Sequence, residues 1–116
     1  MAAEDDLEEL NNVLNILREI ILSLQKFLET DDYKFIEDAY SSCSKLLNII
    51  HIDSHELAGK MDLVKNIESM YDKVRYQKNN FDLENHGLLV QQAVYTITRA
   101  NIMAVGLEFK IKRTKG

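Results

Sequence analysis

The chain has 116 residues, of which 46% are hydrophobic and 28% are charged, a balance typical of one globular domain rather than a disordered chain. Its formal net charge of −5 disfavours general binding to nucleic acid or to anionic lipid, because both attract positive charge. Proline is absent and there are only four glycines, which favours long uninterrupted helices.

The first predicted helix begins near Asp5 or Asp6 and ends near Glu29. Its apolar residues recur in alternating steps of three and four, which places them on one side of an α-helix. The main seam consists of Leu7, Leu10, Leu14, Leu17, Ile21, Leu24 and Leu28, and a second row consists of Val13, Ile20 and Phe27. A stripe of this width is typical of a helix packed on two or more neighbours, so we interpret this helix as the central element of a bundle.

The second predicted helix follows a turn at residues 30–32, where Thr and Asp are common N-caps. Its apolar row consists of Ile36, Tyr40, Cys43, Leu47 and Ile50, and three serines, Ser41, Ser42 and Ser44, are predicted to face outward. Cys43 lies within the apolar row, so we interpret it as a small core residue rather than a reactive thiol. One cysteine cannot form an internal disulfide, and the acidic first residues do not resemble a secretory signal, so we expect a cytoplasmic protein.

The connection to the third helix carries several groups that can bind a metal. These groups are His51, Asp53, His55 and Glu56. Helix capping also explains them, because Asp53 followed by Glu56 forms a capping box and a histidine is favoured at a helix C-terminus. We therefore expect no bound metal or other cofactor, and a metal-binding protein or an enzyme that uses His51, Asp53 and His55 stays as an alternative.

The third predicted helix runs from about Ser54 to Lys78. Its expected buried face consists of Leu57, Met61, Val64, Ile67, Met70, Tyr71 and Val74. The next loop covers residues 77–82, where Asp82 is a suitable N-cap for the fourth helix.

The fourth predicted helix repeats apolar residues every seven positions. One row consists of Leu83, Val90, Ile97, Ala104 and Ile111, and the other of His86, Ala93, Ala100 and Leu107. His86 is interpreted as a half-buried histidine with its hydrogen bonds satisfied. Because Gly106 is a natural stop and residues 105–112 alternate in polarity, we expect the helix to end near 105–107 before a short extended tail.

These elements predict an all-α, up-and-down four-helix bundle with short loops, as one domain covering residues 1–116. In that topology the end of the fourth helix lies beside the start of the first. Four basic residues would then face five carboxylates. A nucleic-acid-binding patch is the weaker alternative for these basic residues. The basic group is Lys110, Lys112, Arg113 and Lys115, and the acidic group is Glu4, Asp5, Asp6, Glu8 and Glu9.

The sequence contains no P-loop, no dinucleotide-binding glycine motif and no nucleophile elbow, so we expect no enzyme. It also contains no apolar run long enough to span a membrane. Protein–protein interaction remains as the expected function, because the chain has several more apolar residues than the interior of one bundle needs. We predict partner binding through Ile16, Leu22, Leu63, Leu107, Phe109 and Ile111.

The hypothesis is a small cytoplasmic adaptor, chaperone or inhibitor that offers an apolar helix face or groove to a partner helix, or to a second copy in a homodimer. Two alternatives stay open at this point. The same residues can fill the core of a monomer, or the chain can be an obligate structural subunit of a larger assembly.

Overall fold

The computed structural model describes residues 2–48 and 59–115 of the chain, with side chains described over 7–48 and 59–114. Four α-helices account for nearly all of these residues: α1 Ala2–Thr30, α2 Lys34–Leu47, α3 Lys60–Asn79 and α4 Leu83–Lys115. The described ranges contain no β-strand. The all-α class and the four-helix arrangement predicted from the apolar periodicity are therefore confirmed.

Two tight turns join the helices whose connections are described. Asp31 adopts a left-handed conformation with φ of 59°, and its N–H donates to the Phe27 carbonyl at 2.7 Å, which closes α1. At the other turn the Asp82 carboxylate accepts a hydrogen bond from the Glu84 N–H at 3.0 Å. Asp82 therefore caps α4, as its position before the helix predicts.

The helices form a ring in which α1 and α3 each pack between α2 and α4. Cross-helix bonds show that α1 and α4 are antiparallel, since Arg18 pairs with Glu108 and Asp31 with His86. The end of α4 is thus directed toward the start of α1, as the sequence predicts, although the side chains of residues 2–6 lie outside the described part. The molecule is elongated, with extents of 52 × 22 × 19 Å.

The most deeply buried residues of α1 include the whole second row of the prediction but only part of the main seam. Ile20 has no exposed surface, whereas Ile21 is 9% exposed, so α1 is rotated toward its second row. The fully buried α1 residues are Val13, Leu17, Ile20, Leu24 and Phe27. The chain nevertheless closes a continuous core of its own, to which all four helices contribute.

Individual positions on α2 and α3 differ from the sequence prediction. Met61 is exposed although it was expected inside, and Leu63 takes the buried position on α3 instead. Leu47 is exposed, while Ser42 is buried and donates a hydrogen bond to the Glu19 carboxylate at 3.1 Å.

The predicted extended tail is wrong, because α4 continues as a helix to Lys115 through Gly106. A strand would place Leu107, Phe109 and Ile111 on one side, whereas the helix buries Leu107 and Ile111 and leaves Phe109 exposed. Burial of these two side chains in the helical frame stabilises the continuation by more than the glycine costs, about 1 kcal/mol.

The rotation of α1 gives a stability prediction. We expect Ile20→Ala to lower the free energy of unfolding by about 2–5 kcal/mol, since it leaves a cavity at the centre of the core. Ile21→Ala should cost less, because Ile21 lies at the edge of the core and the site relaxes more easily. Urea unfolding followed by circular dichroism measures both; an equal or larger loss for Ile21→Ala would contradict this packing.

Candidate interaction surface

The structure separates the six residues predicted to bind a partner into two groups. Leu22 and Phe109 are 53% and 63% exposed. The other four, Ile16, Leu63, Leu107 and Ile111, are buried in the core. For these four the expectation of an exposed binding residue is corrected: they fill the interior of the bundle, which is the alternative that the sequence left open.

An exposed apolar row, which we call the α4 stripe, follows the outer face of α4. It consists of Leu88, Tyr95, Ile102 and Phe109, which are seven residues apart and between 44% and 64% exposed. Val105 and Val94 lie beside the row and are about half exposed. Twenty-one residues of helix span about 32 Å, so the α4 stripe runs along most of the helix.

The α4 stripe was missed from sequence because α4 carries two apolar faces with the same period. The inner face includes Ala93, Ala100 and Leu107, which have no exposed surface. The outer residues Leu88, Tyr95, Ile102 and Phe109 also repeat every seven positions. This second repeat is the feature of the sequence that indicates an outer apolar face.

Ion pairs to the neighbouring helices flank the α4 stripe and fix its direction. On one side Glu108 accepts a hydrogen bond from the Arg18 guanidinium of α1 at 2.8 Å. On the other side Arg99 lies 3.6 Å from the Asp62 carboxylate of α3. Leu22 lies one turn beyond Arg18 on α1, so it extends the apolar surface toward α1. The stripe therefore faces away from both neighbours.

Charge is distributed unequally along the outer face of α4. Asp82 and Glu84 are exposed at its start, and Lys112 and Arg113 are exposed at its end. Between the stripe residues the outward positions carry the neutral side chains Gln91, Thr98 and Val105, and the one charged group there, Arg99, is paired with Asp62 and lies over the Tyr95 ring. The apolar surface is thus bounded by acid at one end and by base at the other.

A polar junction holds the start of α4 against the rest of the bundle. The Tyr33 hydroxyl lies 2.7 Å from Nδ1 of His86 and accepts a hydrogen bond from the Gln77 amide at 2.9 Å. The other ring nitrogen of His86, Nε2, lies 3.2 Å from the Asp31 carboxylate. Gln77 continues the junction by accepting from the Asp82 N–H at 2.8 Å. The interpretation of His86 as a satisfied, half-buried histidine is confirmed.

Cys43 is buried in the core, as its place in the apolar row predicts. Burial, with a smaller contribution from the negative charge of Glu68, raises the pKa of the Cys43 thiol from 9.0 to about 11. Because the thiolate is the reactive form, this environment suppresses its nucleophilic chemistry at neutral pH.

Other chemistry on the described surface is sparse. An open depression of about 400 Å³ between α3 and α4 is lined by Ser69, Asp72, Lys73, Tyr76, Asp82 and Asn85. Within the described ranges, no group of three or more His, Cys, Asp or Glu side chains is arranged to hold a metal ion. His51, Asp53 and His55, which carry the metal alternative, lie outside those ranges. Among the described helices, none has the length and hydropathy needed to cross a membrane.

No protein-family model matches the chain, and neither a curated protein nor a solved structure is similar to it.

The polar junction gives a testable energetic coupling. We expect Tyr33→Phe and His86→Ala each to lower the free energy of unfolding by about 1–3 kcal/mol, because each leaves a partly buried polar partner unpaired. The double variant should lose less than the two single losses together, by about 0.5–1.5 kcal/mol. Tyr95→Phe is the matched control, because it removes an exposed hydroxyl from α4, the helix that carries His86. It should change the free energy of unfolding little. Additive losses in urea unfolding would show that the two side chains act separately.

The buried thiol gives a prediction about pH. The pKa of Cys43 is higher in the folded chain than in the unfolded one, so its stabilising contribution is complete below pH 9 and is lost as the pH rises from 9 toward 11. Over that range the free energy of unfolding should fall more steeply for the native chain than for Cys43→Ala. Thiol labelling near pH 8 should be slow in the folded state and fast in urea. Rapid labelling of the folded chain would contradict the burial of Cys43.

Proposed function

We propose that this protein is a small helical interaction module, rather than an enzyme, and that it binds an amphipathic helix along the α4 stripe. The observation that supports this proposal is the exposure of four large apolar side chains at a constant spacing of seven residues. Single exposed apolar residues are ordinary on protein surfaces, but a contiguous set of them is typical of a binding surface. A spacing of seven is also the repeat with which one helix packs on another.

The form of the surface favours a helix as the occupant. The α4 stripe is a narrow ridge about 32 Å long, and its side chains fit the spaces between residues of a second helix whose apolar residues share the same period. The described part of the chain offers no sheet edge on which an extended peptide could add a strand. The charge at the two ends favours a partner helix with acid opposite Lys112 and base opposite Glu84.

The closed core favours an adaptor over an obligate structural subunit. Twenty-five apolar residues among those described are buried without any contribution from another chain. A protein with such a core can fold before it meets its partner, whereas an obligate subunit completes its core in the interface. A cytoplasmic location belongs to this proposal, since Cys43 is a free thiol and requires no oxidising compartment.

A charge placed in the middle of the α4 stripe tests the proposal. Ile102→Glu should weaken binding by at least tenfold, because the interface would have to bury a carboxylate where it packs an isoleucine. Ser41→Glu is the matched control, since it adds the same charge at an exposed position of α2, which does not neighbour α4 in the ring. Both variants should keep the helical circular dichroism spectrum of the native chain, because both positions are exposed.

The measurement begins with capture from an extract of the source organism on the immobilised native chain and on both variants. The retained protein is identified, purified and titrated against each form by calorimetry. Support requires that the purified partner bind the native chain and Ser41→Glu equally and Ile102→Glu at least tenfold more weakly. A partner that binds all three equally would show that the α4 stripe is not the binding surface.

A further inference from the structure

We infer that a second copy of this chain occupies the α4 stripe, with the two α4 helices antiparallel in a two-fold symmetric dimer. This inference rests on the proposed function, because it names the partner of the same surface. The α4 helix itself has the properties required of that partner, which are apolar residues every seven positions and opposite charge at its two ends.

The spacing of the α4 stripe is symmetric about its own centre. Leu88 and Phe109 lie equally far from the midpoint between residues 98 and 99, and so do Tyr95 and Ile102. A two-fold axis at that midpoint brings Leu88 of one copy level with Phe109 of the other, and Tyr95 level with Ile102. Thr98 and Arg99 lie nearest the axis. The Arg99 guanidinium lies over the Tyr95 ring and 3.6 Å from the Asp62 carboxylate of α3, which leaves the small Thr98 side chain where the two helices approach each other. Every apolar residue of the stripe therefore meets an apolar counterpart.

The charges choose between the two orientations of the helices. In the antiparallel pair Glu84 of one copy lies within a turn of Lys112 and Arg113 of the other, at both ends of the interface. In a parallel pair Glu84 would face Glu84 and Lys112 would face Lys112, which is unfavourable. The antiparallel pair also sets the dipoles of the two helices in opposite directions.

The symmetry also determines the stoichiometry. Each copy uses the same surface, so the contact is isologous and two chains close the assembly. The α4 stripe is then covered on both copies, so it is not available to recruit a third chain.

Cysteine cross-linking measures the orientation. In a Cys43→Ala background, Leu88→Cys and Phe109→Cys are prepared separately, mixed, and treated with a bis-maleimide whose reach is about one helix diameter. We expect a dimer containing one chain of each kind. Leu88→Cys alone should give none, because the two copies of residue 88 are about 31 Å apart in the antiparallel pair. Cross-linking of Leu88→Cys with itself, or no cross-link in the mixture, would overturn the inference.

Charge reversal supplies a second, independent measurement by sedimentation equilibrium. We expect the native chain to form dimers of twice 13.4 kDa. Glu84→Lys and Lys112→Glu should each weaken the dimer about three- to tenfold, and the double variant should recover most of the native affinity. In a parallel pair each reversal would replace one like-charge pair by another, so neither single variant would weaken the dimer, and that result would overturn the inference. Both positions are exposed, so these variants are expected to keep the fold.

The two proposals fail in different ways. A native chain that remains at 13.4 kDa overturns the self-association. If a different purified partner then binds the native chain and binds Ile102→Glu at least tenfold more weakly, the proposed function stands. A dimer that forms equally well with Ile102→Glu also overturns this inference, because its contact then lies away from the α4 stripe.

Discussion

The packing of α1 against α4 is the contact on which the rest of the structure depends. These are the two longest helices, and their contact is the most extensive in the bundle. On α4 the buried positions include Ala93, Ala100 and Ala104, whose small side chains let a neighbouring helix approach closely. Because the buried face of α4 is held against α1 and α3, the opposite face is fixed toward solvent. The exposure of the α4 stripe is thus a consequence of how the core is built.

Apolar packing alone does not fix how far one helix slides along another, since rows of similar aliphatic side chains offer several nearly equivalent positions. The polar junction at one end of the bundle supplies that information. Tyr33, Gln77 and His86 come from three different parts of the chain, and their hydrogen bonds form only when both described turns are in place. A displacement by one turn would leave these partly buried groups unpaired, which costs up to about 1–3 kcal/mol for each group. The junction therefore stabilises one axial alignment of α4.

The sequence predicts most of the architecture, because helix number and class follow from local periodicity. The cap at Asp82 and the burial of Cys43 also follow from local rules. The rotation of each helix about its own axis is harder to predict, since a repeat of seven drifts against the 3.6 residues of a helical turn. On α1 the side chain of Ile20 is more deeply buried than that of Ile21. The exposure of the α4 stripe is harder still to predict. An apolar residue that fits the period can face a core or a partner, and only the packing of α4 separates buried Leu107 from exposed Phe109.

The charge of the whole chain bears on how such a surface avoids unspecific association. Each copy carries a net charge of −5, so two copies repel each other in most orientations. The end of α4 is an exception, because Lys112 and Arg113 are exposed next to the α4 stripe. An orientation that places this end beside Glu84 and Asp82 of another copy lowers the repulsion, whereas other orientations of the stripe keep it. In the proposed dimer the apolar residues provide the affinity and the charges restrict the geometry, as in coiled coils whose flanking charges determine orientation.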